Sequence, residues 1–102
     1  MKMYLSDPTE GKKDSKAFSA AVERLRGMGF AVVNPMEIET PEQTGDEMRR
    51  RLEILELTDC DIVVQLRGWF GSVDARLEEY VARRLGIECR EYREMDFSEF
   101  ER

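Results

Sequence analysis

Hydrophobic residues fall along this chain in four short runs separated by stretches with helical spacing. The runs, about Lys2 to Leu5, Phe30 to Val33, Ile62 to Leu66 and Ile87 to Tyr92, read as strands; the second stops at Asn34-Pro35 and the fourth follows Gly86. Between the first two, Phe18, Ala21, Val22, Leu25 and Met28 repeat with the period of a helix capped at Asp14 or Ser15 and ended by Gly27 and Gly29. A polar loop with two possible helix starts follows, Thr40-Pro41 and Thr44 with Glu47 three residues on. The helix from about Asp46 to Thr58 is expected to deliver Met48, Leu52 and Leu55 to the core. A third helix opens at Ser72.

Strand and helix alternate, and the strands are almost continuously apolar. That order implies a parallel sheet covered on both faces through right-handed crossovers. The expected fold is α/β: one flavodoxin-like, Rossmann-like three-layer domain over residues 1–92, with a four-stranded parallel sheet of order 2-1-3-4. Residues 93–102 form a tail that is acidic but, with Tyr92, carries Met95, Phe97 and Phe100. Packing of Met95, Phe97 or Phe100 on a neighbouring subunit is one reading; a short helix folded back on its own domain is the other.

The stretch from Cys60 to Glu78 runs from a buried-strand signal through a Gly/Ser turn into a helix, the arrangement in which open α/β sheets place ligands. On a wheel at about 100° per residue, Leu77, Val81, Leu85, Ala82 and Ala75 define an apolar arc. Glu78 falls inside it and Asp74 beside it. Taking a carboxylate out of water costs several kcal/mol unless it is paired or protonated. Either these are desolvated carboxylates of raised pKa working as nucleophile or base, or they pair with arginines or reach solvent at the edge of the arc.

Composition narrows the chemistry. With 102 residues the chain fits one domain whose core needs no metal or disulfide staple, and Cys60 and Cys89 form no CxxC or Cys/His set, so both read as reduced core residues. There is no histidine, which removes histidine-based triads, His-ligated zinc and imidazole acid/base work. Such work falls to carboxylates, Lys, Tyr or water, and no metal or cofactor is expected. A net charge of −6 argues against a nucleic-acid surface, which needs a basic face. No apolar run has the length of a membrane span, so a soluble, cytoplasmic protein with no membrane partner is expected. Neither GxGxxG nor GxxxxGK[ST] occurs. A receiver-type phosphoacceptor aspartate is absent where Gln65-Leu66-Arg67 end the third strand, and the first loop, with Ser6 and Thr9, has few hydroxyls for a flavin phosphate.

Met1-Lys2-Met3-Tyr4-Leu5-Ser6 followed by Pro8 and Gly11, Val33-Asn34-Pro35, the helix entering Cys60-Asp61, and Gly68-Trp69 with Ser72, Ala75 and Glu78 occur together in this order. Jointly they resemble the short bacterial and phage proteins related to nucleoside 2-deoxyribosyltransferases, over about residues 1–90. The resemblance implies an N-glycosidic-bond enzyme in which Glu78 is the nucleophile at the anomeric carbon. Ser72, six residues earlier, is implied as the sugar or phosphate contact, and Glu53, where relatives usually have aspartate, as the acid that protonates the leaving base. In that superfamily a neighbouring subunit completes the pocket, which implies a homodimer or higher oligomer.

The residues suit that chemistry on their own terms, since one carboxylate can attack an oxocarbenium-like centre while another protonates the leaving group. Tyr4, Ser6 and Trp69 are further candidates for contacting a nucleoside or nucleotide, Tyr4 and Trp69 as apolar walls or simply as core aromatics. Asp7 and Asp74 stand where relatives commonly have glycine, and Glu10 where the nucleotide-hydrolysing branch has a basic residue. These changes oppose phosphate binding unless Lys12 or Lys13 compensates. The expected function is nucleoside or nucleotide N-glycosidase or deoxyribosyltransferase. The alternatives are a noncatalytic nucleoside-binding or oligomeric regulatory protein that keeps the fold, and a glycohydrolase for another N-glycoside such as a dinucleotide.

Overall fold

A computed structural model of the chain describes residues 1–6 and 16–95. Its elements run β1 (Lys2–Ser6), α1 (Lys16–Gly27), β2 (Ala31–Val33), a 3₁₀ turn (Pro35–Glu37), α2 (Asp46–Thr58), β3 (Ile62–Gln65), a second 3₁₀ turn (Trp69–Gly71), α3 (Val73–Arg84), β4 (Glu88–Glu91) and a third 3₁₀ turn (Tyr92–Glu94). All strand pairs are parallel, in the order β2-β1-β3-β4. This is the flavodoxin-like arrangement expected from the alternation of strands and helices, each strand being separated from the next along the chain by a helix. The chain reverses direction across the sheet between β1 and β3, whose carboxyl ends are level, with Ser6 in register with Gln65. Ligands of open α/β sheets bind at such a switch point.

Alternation along β1 divides the core. Met3 and Leu5 join Phe18, Ala21, Val22 and Leu25 of α1 together with Val32, Ile62 and Val64. Tyr4 points the other way, into a second layer with Leu57, Cys60, Val63 and Ala82. Ser6, two residues on, shares the face of Tyr4 because side chains on a strand alternate. The α1 stripe is buried as its spacing predicts, except for Met28, which lies beyond the last turn and is exposed. Gly29, at φ +96°, takes the left-handed conformation that redirects the chain into β2.

Several expectations need correction. The stripe expected to bury α2 faces outward instead: Met48 and Leu55 are exposed and Leu52 is only half-buried, while Leu57 and Ile54 pack inward. The phase of α2 is set at its carboxyl end, where Leu57 and Cys60 are both buried beside the start of β3. Gly45 is the N-cap in place of Thr40-Pro41 or Thr44, and the Thr44 hydroxyl donates to the Pro41 carbonyl. Leu77 and Leu85, expected within the buried arc of α3, are exposed.

The last strand is polar and shorter than expected, as suits an edge position; Arg90 and Glu88 on it pair at 2.8 Å. Tyr92 and Met95 pack against the chain's own α1-side core. The expectations for Phe97 and Phe100, for the Asp14 or Ser15 cap and for Asp7, Thr9, Glu10, Lys12 and Lys13 fall outside the described residues. No helix among the described residues is long and apolar enough to cross a membrane.

Candidate functional site

The site is built by the turn that ends β3. Gly68 adopts φ +92°, a left-handed conformation natural to glycine, and starts the Trp69–Gly71 turn. Ser72 then caps α3, its Oγ accepting from the Ala75 amide at 3.2 Å. Ala75 and Ala82, both fully buried, let the helix approach the sheet closely, and Glu78 lies on the same face between them.

Glu78 is only 7% exposed. Ser6 Oγ donates to its Oε1 at 2.7 Å, and the Tyr4 hydroxyl donates to its Oε2. Both carboxylate oxygens are therefore held by neutral hydroxyls from one face of β1. Burial pushes the Glu78 carboxyl up to about 7, the charges of Glu53 and Asp74 add to the rise, and the bonds from Tyr4 and Ser6 oppose it. Tyr4 moves well above the usual phenol range, first through burial, then through the Glu78 charge and the bond to it. It remains a donor throughout the working pH range. A carboxylate that is poorly hydrated, fixed in orientation and half ionised near neutrality is equipped for nucleophilic or general-base work.

Of the two readings that the sequence leaves open for these carboxylates, the structure gives one to each. Glu78 is desolvated, whereas Asp74 pairs with Arg50, whose Nε donates to Asp74 Oδ1 at 2.9 Å across the seam between α2 and α3. Glu53 follows Arg50 on α2 and is half-buried; its charge acts on Tyr4, Glu78 and Arg50 alike. The structure thus brings Tyr4, Ser6 and Glu78 into contact, with the charge of Glu53 acting on Tyr4 and Glu78 and that of Asp74 on Glu78.

The Tyr4 ring is fully buried in the core, and its hydroxyl donates to the Glu78 carboxylate. Ser72 lies at the same carboxyl edge as Ser6, and its hydroxyl oxygen serves as the helix cap. Trp69 turns toward β4: its Nε1 donates to Glu91 Oε1 at 3.1 Å, and its ring meets Phe70 edge-on at 5.6 Å. It lines an open groove along the outer side of α3 with Arg83 and Arg84. Sequence reasoning missed Arg50, since a surface arginine in the run Arg49-Arg50-Arg51 carries no signal of its partner. It used Gln65 only to exclude a phosphoacceptor, yet this side chain is buried and donates to Glu79 Oε2 at 2.9 Å.

Fold and site together define a class: a parallel α/β domain with a desolvated, hydroxyl-anchored glutamate beside the switch point of its sheet. The chain belongs to the family described as domain of unknown function DUF4406, whose model matches residues 1–90. Among curated proteins none matches it.

Proposed function

We propose that this protein breaks the N-glycosidic bond of a small nucleoside or nucleotide, with Glu78 as nucleophile. The observation that carries the reading is the buried Glu78 carboxylate held between the hydroxyls of Tyr4 and Ser6 at the sheet switch point. In the first step a Glu78 oxygen bonds to the anomeric carbon as the carbon–nitrogen bond breaks, and the departing base takes the electron pair and a proton from Glu53. In the second step water or an acceptor base gives a proton to the Glu53 carboxylate as its oxygen or nitrogen displaces Glu78 from the anomeric carbon, so that both groups return to their starting states. By the resemblance to nucleoside 2-deoxyribosyltransferases, Ser72 contacts the sugar. Trp69 is left out of the assignment, because it is turned toward Glu91.

The test is free-base release from a panel of ribo- and deoxyribonucleosides and their monophosphates, followed by chromatography with and without an added acceptor base. Release is expected from at least one nucleoside, and exchange in the presence of acceptor identifies transfer. Binding without release would favour the noncatalytic alternative.

Tyr4→Phe probes the anchoring. The Tyr4 bond favours ionised Glu78, so its loss raises the carboxyl above about 7 and leaves less nucleophile at neutral pH. Activity at pH 7 is expected to fall by roughly fivefold and to recover partly at higher pH, since a tenfold rise in proton affinity takes the ionised fraction at pH 7 from about one half to about one tenth. A pH–rate profile unmoved by Tyr4→Phe would remove Tyr4 from this role.

Asp74 places a negative charge in the first turn of α3, and Arg50 is engaged by it. Nucleosides are therefore expected to bind better than their monophosphates. Asp74→Gly, which removes the carboxylate and releases Arg50, should narrow the difference by roughly tenfold, or about 1.4 kcal/mol. Calorimetric titration decides it, and tighter binding of the monophosphate by the unaltered protein is the contrary result.

A further inference from the structure

Glu78 is followed by a second glutamate that is itself anchored. Gln65 Nε2 donates to Glu79 Oε2 at 2.9 Å, and Arg83, one turn on, pairs with Oε1 at 3.2 Å. Gln65 is buried, as is Ser6, its register partner on β1, and side chains in register share a face of the sheet. Two neighbouring strands thus end in neutral polar groups, one holding Glu78 and the other Glu79. At about 100° per residue the two carboxylates stand about 50° to either side of the line through Ala75 and Ala82. The sheet therefore grips α3 on both flanks of its buried seat.

The helix needs such a grip. Its seat is made of two alanines, whose methyl groups offer little to interlock with the strands. On the Glu78 side lie half-buried Val81 and exposed Leu85, and a roll that lays them on the sheet would take more apolar surface out of water. That roll carries Glu78 beneath the helix axis, off the Tyr4 and Ser6 hydroxyls but still buried, and swings Glu79 away from Gln65. The Arg83 bond joins two residues of one helix and turns with it. The Arg50–Asp74 pair lies at the surface, where an ion pair contributes little. Gln65 opposes the roll from the sheet itself.

We propose that Gln65 is a positioning residue: through Glu79 it fixes the roll of α3 and so keeps the Glu78 carboxylate on the hydroxyls of Tyr4 and Ser6. The consequence for catalysis rests on the reading of Glu78 as nucleophile. The positioning itself can be measured without substrate.

The readout is the titration of Glu78, followed by carbon-13 NMR of the glutamate side-chain carboxyls, with the Glu78 signal assigned by its loss in Glu78→Gln. The groups that face Glu78 are Tyr4 and Ser6 of β1, Glu53 of α2 and Asp74 of its own helix, and every variant below keeps them. The wild-type midpoint is expected near 7. Gln65→Leu should raise the proton affinity of Glu78 about tenfold, because the carboxyl stays buried but loses the hydroxyls that favour its ionised form. Glu79→Leu should do the same although it removes a negative charge, which separates a roll of the helix from the charge of a released Glu79. Glu79→Gln, whose amide oxygen can still accept from Gln65, should leave the midpoint near 7. The double variant Gln65→Leu, Glu79→Leu should move it no further than either single change, since both break one contact.

Circular dichroism shows which variants are folded. An unmoved midpoint in folded Gln65→Leu overturns the proposal, and Glu79→Leu decides in the same way should Gln65→Leu not fold. Effects that multiply in the double variant also overturn it, because Gln65 would then act by a route other than Glu79. Base release by the wild type together with an unmoved midpoint keeps Glu78 as nucleophile and removes Gln65 from its support. A raised midpoint without release from any substrate of the panel does the reverse.

Discussion

Between pH 4.5 and about 7 the protein is expected to lose about 3 kcal/mol of folding stability through Glu78 alone, and Glu78→Gln is expected to abolish that loss. The folded-state pKa lies above the unfolded value, so the native state holds more protons across this window. Stability is therefore fully present below pH 4.5 and declines as pH rises through about 7. Burial is the main cause, since ionisation costs little in the unfolded chain but here takes place between Ala75 and Ala82 against the sheet. Gln keeps the shape, and the Tyr4 and Ser6 hydroxyls can rotate to satisfy a neutral amide.

The difference between wild type and Glu78→Gln isolates this group from Asp59 and Glu37, whose carboxyls are lowered by Lys2 and Arg26 and whose contributions have the opposite sign. Urea melts at pH 5 and pH 8 measure it. Glu78→Gln should be more stable than wild type at pH 8 and nearly equal to it at pH 5. Equal stability at both values would mean that Glu78 ionises as freely in the fold as in water.

Much of this was legible in the sequence where one physical pattern governs. Four strands and three helices in alternation fix a parallel sheet, and the stripe Phe18, Ala21, Val22 and Leu25 marks the buried face of α1 without ambiguity. Glu78 was legible for the same reason: the wheel placed a carboxylate among apolar residues, and the structure buries it. Alternation in β1 could also have aimed Tyr4 and Ser6 at the same helix, since residues two apart share a face.

The wheel gave the wrong face for α2. Its most regular apolar spacing, Met48, Leu52 and Leu55, is the outward one, because that helix carries two stripes and Leu57 beside Cys60 decides which of them meets the sheet. In α3 the large residues Leu77 and Leu85 drew the arc outward, whereas small Ala75 and Ala82 occupy the tight seat. Nor could the Arg50–Asp74 pair be read, because no local period connects residues on separate helices.

A nucleophile cannot be replaced by a neutral isostere. Glu78→Gln keeps the volume and the hydrogen-bonding site, yet its amide cannot form and release the bond to an anomeric carbon, so base release is expected to fall on the order of 10³-fold or more. In the wild type the rate should rise with pH to a midpoint near 7, as Glu78 ionises. The decisive measurement is free base released from the best nucleoside of the panel at pH 7.5, by wild type and by Glu78→Gln, each shown to be folded by circular dichroism. The expected result is release by the wild type alone; undiminished release by a folded Glu78→Gln would contradict the assignment of Glu78 as nucleophile.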